Sequence, residues 1–261
     1  MGGFTTLSIA CASSSNAIGE AFRQIRDGYA DVMIAGGTEA FLTYGVFRCW
    51  EALRVLAGED PEDPSKSCKP FSRNRSGLVL GEGAAIVVLE EMERAVLRAA
   101  PIYAEILGYG STSDAFHITK PSSEGQSRAI SEALGDAKIS PEEVDYINAH
   151  GTATQWNDLL ETQAIKKVFG EYAYKVPISS TKSMHGHTMG AAGAIEFVVS
   201  LLTIRNQAIP PTINLDQPDP DCDLDYVPNT SRQGVKVNTV MSNSFAFGGT
   251  NAVLIAGKTE R

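Results

Sequence analysis

The 261-residue chain is poor in the features that mark several specialised protein classes. Its four cysteines, Cys11, Cys49, Cys68 and Cys222, form no CxxC pair and no finger-like spacing. That spacing gives a structural disulfide or a zinc site little support and points to reduced thiols in a cytosolic protein. Basic residues are outnumbered, 22 Lys and Arg against 31 Asp and Glu, giving a formal charge of −9 and a pI near 5.0. A general attraction to nucleic acid or to an anionic membrane is therefore not expected. No apolar run approaches the ~20 residues that span a bilayer. The start, Met1-Gly2-Gly3-Phe4, has neither a basic region nor a long apolar stretch, so no secretory signal is expected. What remains is ordinary globular usage, 43% hydrophobic and 20% charged, enough for one large or two modest domains.

Along the chain, strand-like and helix-like patterns alternate. Thr5 to Ala10 reads as a buried strand, and small and apolar residues recur at helical spacing from Ala12 to Arg26. A second strand is expected from Asp31 to Ala35, stopped by Gly36-Gly37, and then an irregular segment through Pro61, Pro64 and Pro70. Gly81 to Glu90 and Ile102 to Tyr109 read as further strands. The second half repeats the pattern, with strands at Ile178 to Thr181, Val237 to Met241 and Ala252 to Ala256 and a small-residue helix from Gly190 to Leu202. GEGAAIVVLE from Gly81 pairs loosely with GGTNAVLIAG from Gly248, a weak sign of duplication. The alternation predicts an α/β architecture with mostly buried sheets.

Five positions carry chemistry. Cys11 lies in SIACASSSNAIGEAF, at a strand-to-helix junction among small residues. A helix N-terminus lowers a thiol pKa from ~8.5 and so favours the nucleophilic thiolate. His150, in DYINAHGTAT, and His187, in STKSMHGHTMGAAGAIE, each follow a strand-like run, where open α/β sheets place functional groups. Lys182 and Glu196 flank His187 in apolar, small-residue surroundings, where an unpaired charge is costly, so they are expected to pair.

The segments ACAS at Cys11, NAHGTAT at His150, STKSMHGH at Lys182 and NSFAFGGTN at Asn243 resemble, in order, the active-site signatures of β-ketoacyl-acyl-carrier-protein synthases. PFSRNRSGLVLGEGAAIVVLEE from Pro70 and SDAFHITKPS from Ser113 are similar to the family's connecting segments. The resemblance covers essentially the whole chain. It implies a thiolase-like fold, layered αβαβα in two pseudo-repeated halves. The boundaries expected here are 1–100 for the half carrying the cysteine and 101–261 for the half carrying the histidines.

By the same resemblance, Cys11 takes an acyl chain from acyl carrier protein as a thioester, and His150 and His187 stabilise the enolate formed as malonyl carrier protein loses carbon dioxide. The backbone N–H groups of Cys11 and Phe247 hold the oxyanion, at ~3 kcal/mol per donor. Lys182 and Glu196 match the ordering pair behind the histidines. Thr152 and Thr154 match contacts to the phosphopantetheine arm, Phe247 a gate over the nucleophile, and Arg54 a carrier-contacting position. No cofactor is implied beyond the carrier's own arm, and the working assembly is a homodimer. The second histidine argues against initiating synthases, which use Cys-His-Asn. The loop Phe245-Ala246-Phe247-Gly248-Gly249 lacks the second cysteine of degradative thiolases, and an intact Cys11 argues against an inactive sister subunit.

Two departures stand out. His185 occupies a position where a small hydroxyl residue is common, and no metal site with His150 is expected, because the loop offers no carboxylate or thiolate companion. In the family the nucleophile lies near mid-chain, whereas here it is residue 11. The expectation is a first half that is incomplete at its N-terminus, with a bare sheet edge that leaves the chain alone marginal in stability.

Overall fold

The computed structural model describes residues 3–259, so the first two residues of the Met1–Phe4 stretch lie outside it. In chain order the elements are α1 (Ser13–Arg26), β1 (Val32–Glu39), α2 (Tyr44–Ala52), β2 (Gly83–Glu90), α3 (Met92–Leu97), β3 (Glu105–Ser113), α4 (Ser123–Ala137) and β4 (Tyr146–Asn148). They continue with α5 (Gln155–Phe169), β5 (Ile178–Ser179), α6 (Lys182–His185), α7 (Ala192–Asn206), β6 (Ala208–Ile209), β7 (Arg232–Gln233), β8 (Thr239–Phe245) and β9 (Thr250–Gly257). No helix among them is long and apolar enough to cross a membrane.

A five-stranded sheet ordered β3-β9-β8-β4-β5 forms the centre, antiparallel at β3/β9/β8 and parallel at β8/β4/β5. Strand side chains alternate between its faces. Val253, Ile255 and Ile147 join α4 and α5 in one core, while Leu254, Ala252 and Tyr146 join α1 and α7 in a second. Beyond α1 and α7 lies the antiparallel pair β1/β2, so helices and sheets alternate in layers. Met33, Ala35, Val87 and Leu89 face inward on that pair, whereas Ile34, Ile86 and Val88 face outward at 58–73% exposure. This sheet is covered on one side only among the described residues, unlike the buried sheets expected.

Two local readings are corrected. Thr5 to Ala10 is not a buried strand: it has no ladder partner among the described residues and is largely exposed. A strand lacks its defining hydrogen bonds without a neighbour, whatever its propensity. Nor do Gly36-Gly37 end β1, which runs on to Glu39. A Cβ on Gly37 would lie 2.7 Å from Ser14 Cβ and 2.9 Å from the Gly190 carbonyl. The glycine there marks a close approach of α1 and the Met189–Ala191 turn to the strand, not a turn of its own.

Candidate active site

The chain reverses into α1 at Ala10, whose φ of 55° lies in the left-handed region that non-glycine residues seldom adopt. This places Cys11 one residue before the helix N-cap, Ala12, at the floor of a cleft. His150 follows β4, and the next residue, Gly151, has φ 37° with Ser180 and Phe71 so close that a Cβ would clash. His187 follows the short α6 and is pinned on both sides of its backbone, its N–H donating to Val79 O (2.7 Å) and its carbonyl accepting from Gly81 N (3.0 Å). Three distant stretches of sequence thus meet. His187 Nε2 lies 3.1 Å from Cys11 Sγ, and the two imidazoles stand edge to face with centroids 5.3 Å apart. All three residues are nearly inaccessible, at 2–5% exposure.

The partners on the far side of each ring fix its tautomer. Lys182 Nζ, which can only donate, lies 3.3 Å from His150 Nδ1, and the Met189 backbone N–H donates to His187 Nδ1 at 3.2 Å. Both Nδ1 atoms are therefore acceptors, which leaves the proton of each neutral ring on Nε2. Burial and the Lys182 charge hold both imidazoles well below the ordinary histidine pKa, so they are neutral. The result is a pair of N–H donors at the floor of the cleft. Lys182 is itself ion-paired with Glu196, both fully buried, as expected. Burial pushes the Glu196 carboxyl up to about 7 against the pull of Lys182.

The thiol departs from expectation. Burial pushes Cys11 up to about 11, outweighing Lys182 and the facing backbone N–H groups of Phe247 and Cys11, all of which act to lower it. The helix-end effect assumed from sequence belongs to a partly exposed thiol, and removal from water dominates here. In the resting site the sulfur accepts from His187 Nε2–H, and its own proton points toward Met189 Sδ at 3.9 Å.

Ligand-capable atoms of Cys11, His150 and His187 lie within 4.8 Å of one another, close enough for one metal ion. The surrounding shell has the opposite polarity. A metal-bound imidazole donates its second N–H to an acceptor, whereas here each Nδ1 receives a hydrogen bond. The set suits hydrogen-bond donation better than metal ligation.

Thr152 and Thr154 line the cleft with their hydroxyls 2.8 Å apart, and Thr154 also caps α5 through Asn157 N–H. Phe247 stacks on Trp50 at 5.9 Å over the same cleft. Arg54 is exposed and does not line it. The sequence reading missed Glu161 on α5. Its buried carboxylate accepts from the backbone N–H groups of His150 and Gly151, each at 2.8 Å, and from Asn243 Nδ2 at 3.2 Å. It clamps the loop that aims His150. The available signal was the polar set Asn157, Asp158 and Glu161 at helical spacing, indistinguishable from a solvated face without tertiary contacts.

His185 is not part of the donor pair. Its Nδ1 donates to the Gly186 carbonyl (2.8 Å) and its Nε2 accepts from Thr181 Oγ1 (3.1 Å), bracing the turn between Lys182 and His187. Burial lowers its pKa to about 4. Because the folded value lies below the ordinary 6.5, the unfolded chain binds the extra proton, and the stabilisation is present above about pH 6.5 and lost as pH falls toward 4. Glu196, raised by burial, acts in the opposite sense, so the informative quantity is a difference between variants. Thermal unfolding followed from pH 7 to pH 4.5 is expected to show a shallower acid loss for His185→Asn than for the wild type, by up to about 1.4 kcal/mol per pH unit. Equal slopes would contradict it.

Two family descriptions match the chain: "Beta-ketoacyl synthase, N-terminal domain" over residues 1–95 and "Beta-ketoacyl synthase, C-terminal domain" over 103–216. The 3-oxoacyl-[acyl-carrier-protein] synthase 2 of Coxiella burnetii is 53% identical over 251 residues, covering 95% of this chain and 60% of its own length. Nodulation protein E of Rhizobium meliloti is 51% identical over 245 residues, covering 94% and 59%. Among solved structures, a type II polyketide synthase ketosynthase in complex with its acyl-carrier protein superposes with a TM-score of 0.96 at 42% identity, over 99% of this chain and 64% of that one. A β-ketoacyl synthase from Burkholderia phymatum gives 0.91 at 42%, over 97% and 61%. The layers described above are those of this thiolase-like fold. The chain spans about 60% of the length of the curated relatives it matches.

Proposed function

The chain belongs to the β-ketoacyl synthase family, and we propose on that premise that it carries the reacting centre of a decarboxylative Claisen condensation between an acyl-cysteine and a malonyl thioester on acyl carrier protein. In the first half-reaction the Cys11 sulfur displaces the carrier thiol from an acyl thioester. One thiol is exchanged for another, so the Cys11 proton leaves with the departing sulfur and no net base is consumed. In the second, the malonyl thioester carbonyl sits against His150 and His187. As the carboxylate leaves as carbon dioxide, its electron pair moves into the enolate, whose oxygen accepts both Nε2–H bonds. The nucleophilic carbon then attacks the acyl-Cys11 carbonyl. The resulting oxyanion faces the N–H groups of Phe247 and Cys11, and collapse expels the Cys11 thiolate, which takes up one proton from solvent to return to the resting thiol. Thr152 and Thr154 contact the arm, and Phe247 moves aside for it. The setting of the reading is cytosolic, with a homodimer as the working assembly and no resident cofactor.

The observation that carries this reading is the convergence of Cys11 Sγ with two imidazoles whose N–H groups are fixed toward it by Lys182 and Met189. Neutral, tautomer-locked donors suit a developing enolate; a proton-abstracting triad would need a free ring nitrogen facing the thiol. Incubation of the chain with an acyl-carrier thioester, followed by intact-mass measurement and peptide mapping, is expected to place one acyl group on Cys11. An adduct on exposed Cys49 instead, or none on Cys11, would overturn the assignment.

A further inference from the structure

The cleft above Cys11 is at odds with the charge of the chain. The protein carries a formal charge of −9, yet among the described residues no aspartate or glutamate lines the cleft, and the one lysine or arginine in its walls is Lys120. Lys120 forms no ion pair among the described residues. Its Nζ instead rests 4.7 Å from the centre of the Trp156 ring. Trp156, the second residue of α5, also lines the cleft and is 56% exposed, an unusual place for so large an apolar surface.

The pair is held rather than loose. The backbone N–H groups of Thr119 and Lys120 both donate to His117 Nδ1 at 3.1 Å. The same loop is tied to the Phe247 loop, with Gly248 N–H donating to Ile118 O at 2.7 Å. An ammonium stacked on an indole retains its charge and part of its hydration, and so remains free to meet an anion. The resulting gradient runs from a dry, neutral floor at Cys11 to a cationic, aromatic rim.

We propose that Lys120 and Trp156 form a rim subsite for the phosphate ester at the far end of a pantetheine-type arm whose sulfur reaches Cys11. This rests on the condensing-enzyme reading. The ammonium takes the phosphate charge, and the indole face packs against the arm's branched apolar carbons. A carrier protein and coenzyme A both present such a phosphate.

The test compares acyl-phosphopantetheine, acyl-pantetheine and acyl-coenzyme A as donors to Cys11. It also measures equilibrium binding of a non-hydrolysable amide analogue with and without the phosphate. The wild type is expected to favour the phosphorylated form in both assays. In Lys120→Gln that preference falls by about threefold to tenfold, the range of one net hydrogen bond at a solvent-exposed site, and Lys120→Arg retains it. The preference should shrink with added salt. An unchanged preference in Lys120→Gln overturns the subsite. A lysine effect seen with acyl-coenzyme A but not with acyl-phosphopantetheine overturns it too, because the contact is then with the nucleotide. If no thioester acylates Cys11 yet analogue binding keeps its phosphate and lysine dependence, the catalytic reading fails while the subsite stands.

Discussion

Cys11→Ala is expected to abolish acyl transfer onto the protein while carbon dioxide release from malonyl carrier protein stays measurable. The division follows from where the donors sit. Removing Sγ takes away the only group that forms the thioester, but the Nε2–H groups of His150 and His187 depend on Lys182 and Met189, not on the sulfur. The mirror variant, His187→Ala, should still be acylated at Cys11 and lose condensation by about 10² or more, the order expected for a transition-state donor. Radiolabelled bicarbonate release and acyl-enzyme mass, measured on both variants, give the comparison. Loss of decarboxylation in Cys11→Ala to the level of His187→Ala would show that the two functions are not separable and that the donor assignment is wrong.

Lys182→Met is expected to be the most damaging charge change in the chain. Lys182 and Glu196 are both fully buried and paired, so removing the cation strands a carboxyl group away from water. Breaking such a pair from one side costs about 3–5 kcal/mol, which in a chain of this size lowers the midpoint of unfolding by on the order of 10 °C. His150 loses its Nδ1 donor at the same time, so its proton is no longer confined to Nε2. The double variant Lys182→Met/Glu196→Gln separates the two effects. Thermal stability should largely return, since neither charge is left buried, while decarboxylation should not, because no donor faces Nδ1. Recovery of both would reduce Lys182 to a structural role.

Much of the reacting centre can be read from sequence because its members sit in short words whose order matters. Cys11, His150 and His187 converge, and the charges of Lys182 and Glu196 meet because neither could be buried alone. What sequence could not show was mostly long-range. Glu161 reaches back eleven residues from α5 to grip the loop at His150, and nothing in its own neighbourhood distinguishes it from a solvated acid. The thiol was misjudged because proximity to a helix end is a local property, whereas burial depends on what packs above it. Thr5 to Ala10 has strand-like residues, but a strand exists only with a partner. The short helix α2 lies in the stretch read as irregular, and although Val46, Phe47 and Trp50 share one face, none of its residues is buried.

The protonated state of Cys11 also bears on how the site endures between turnovers. Peroxide and other soft electrophiles react with thiolates, and a sulfur that climbs to the sulfinic level is lost for good. A thiol held near 11, shielded from solvent and hydrogen-bonded to a thioether and an imidazole, offers such reagents almost no anion. The exposed Cys49 meets them first. Keeping the sulfur protonated by burial therefore also limits oxidation, a protection that a permanently ionised sulfur would lack.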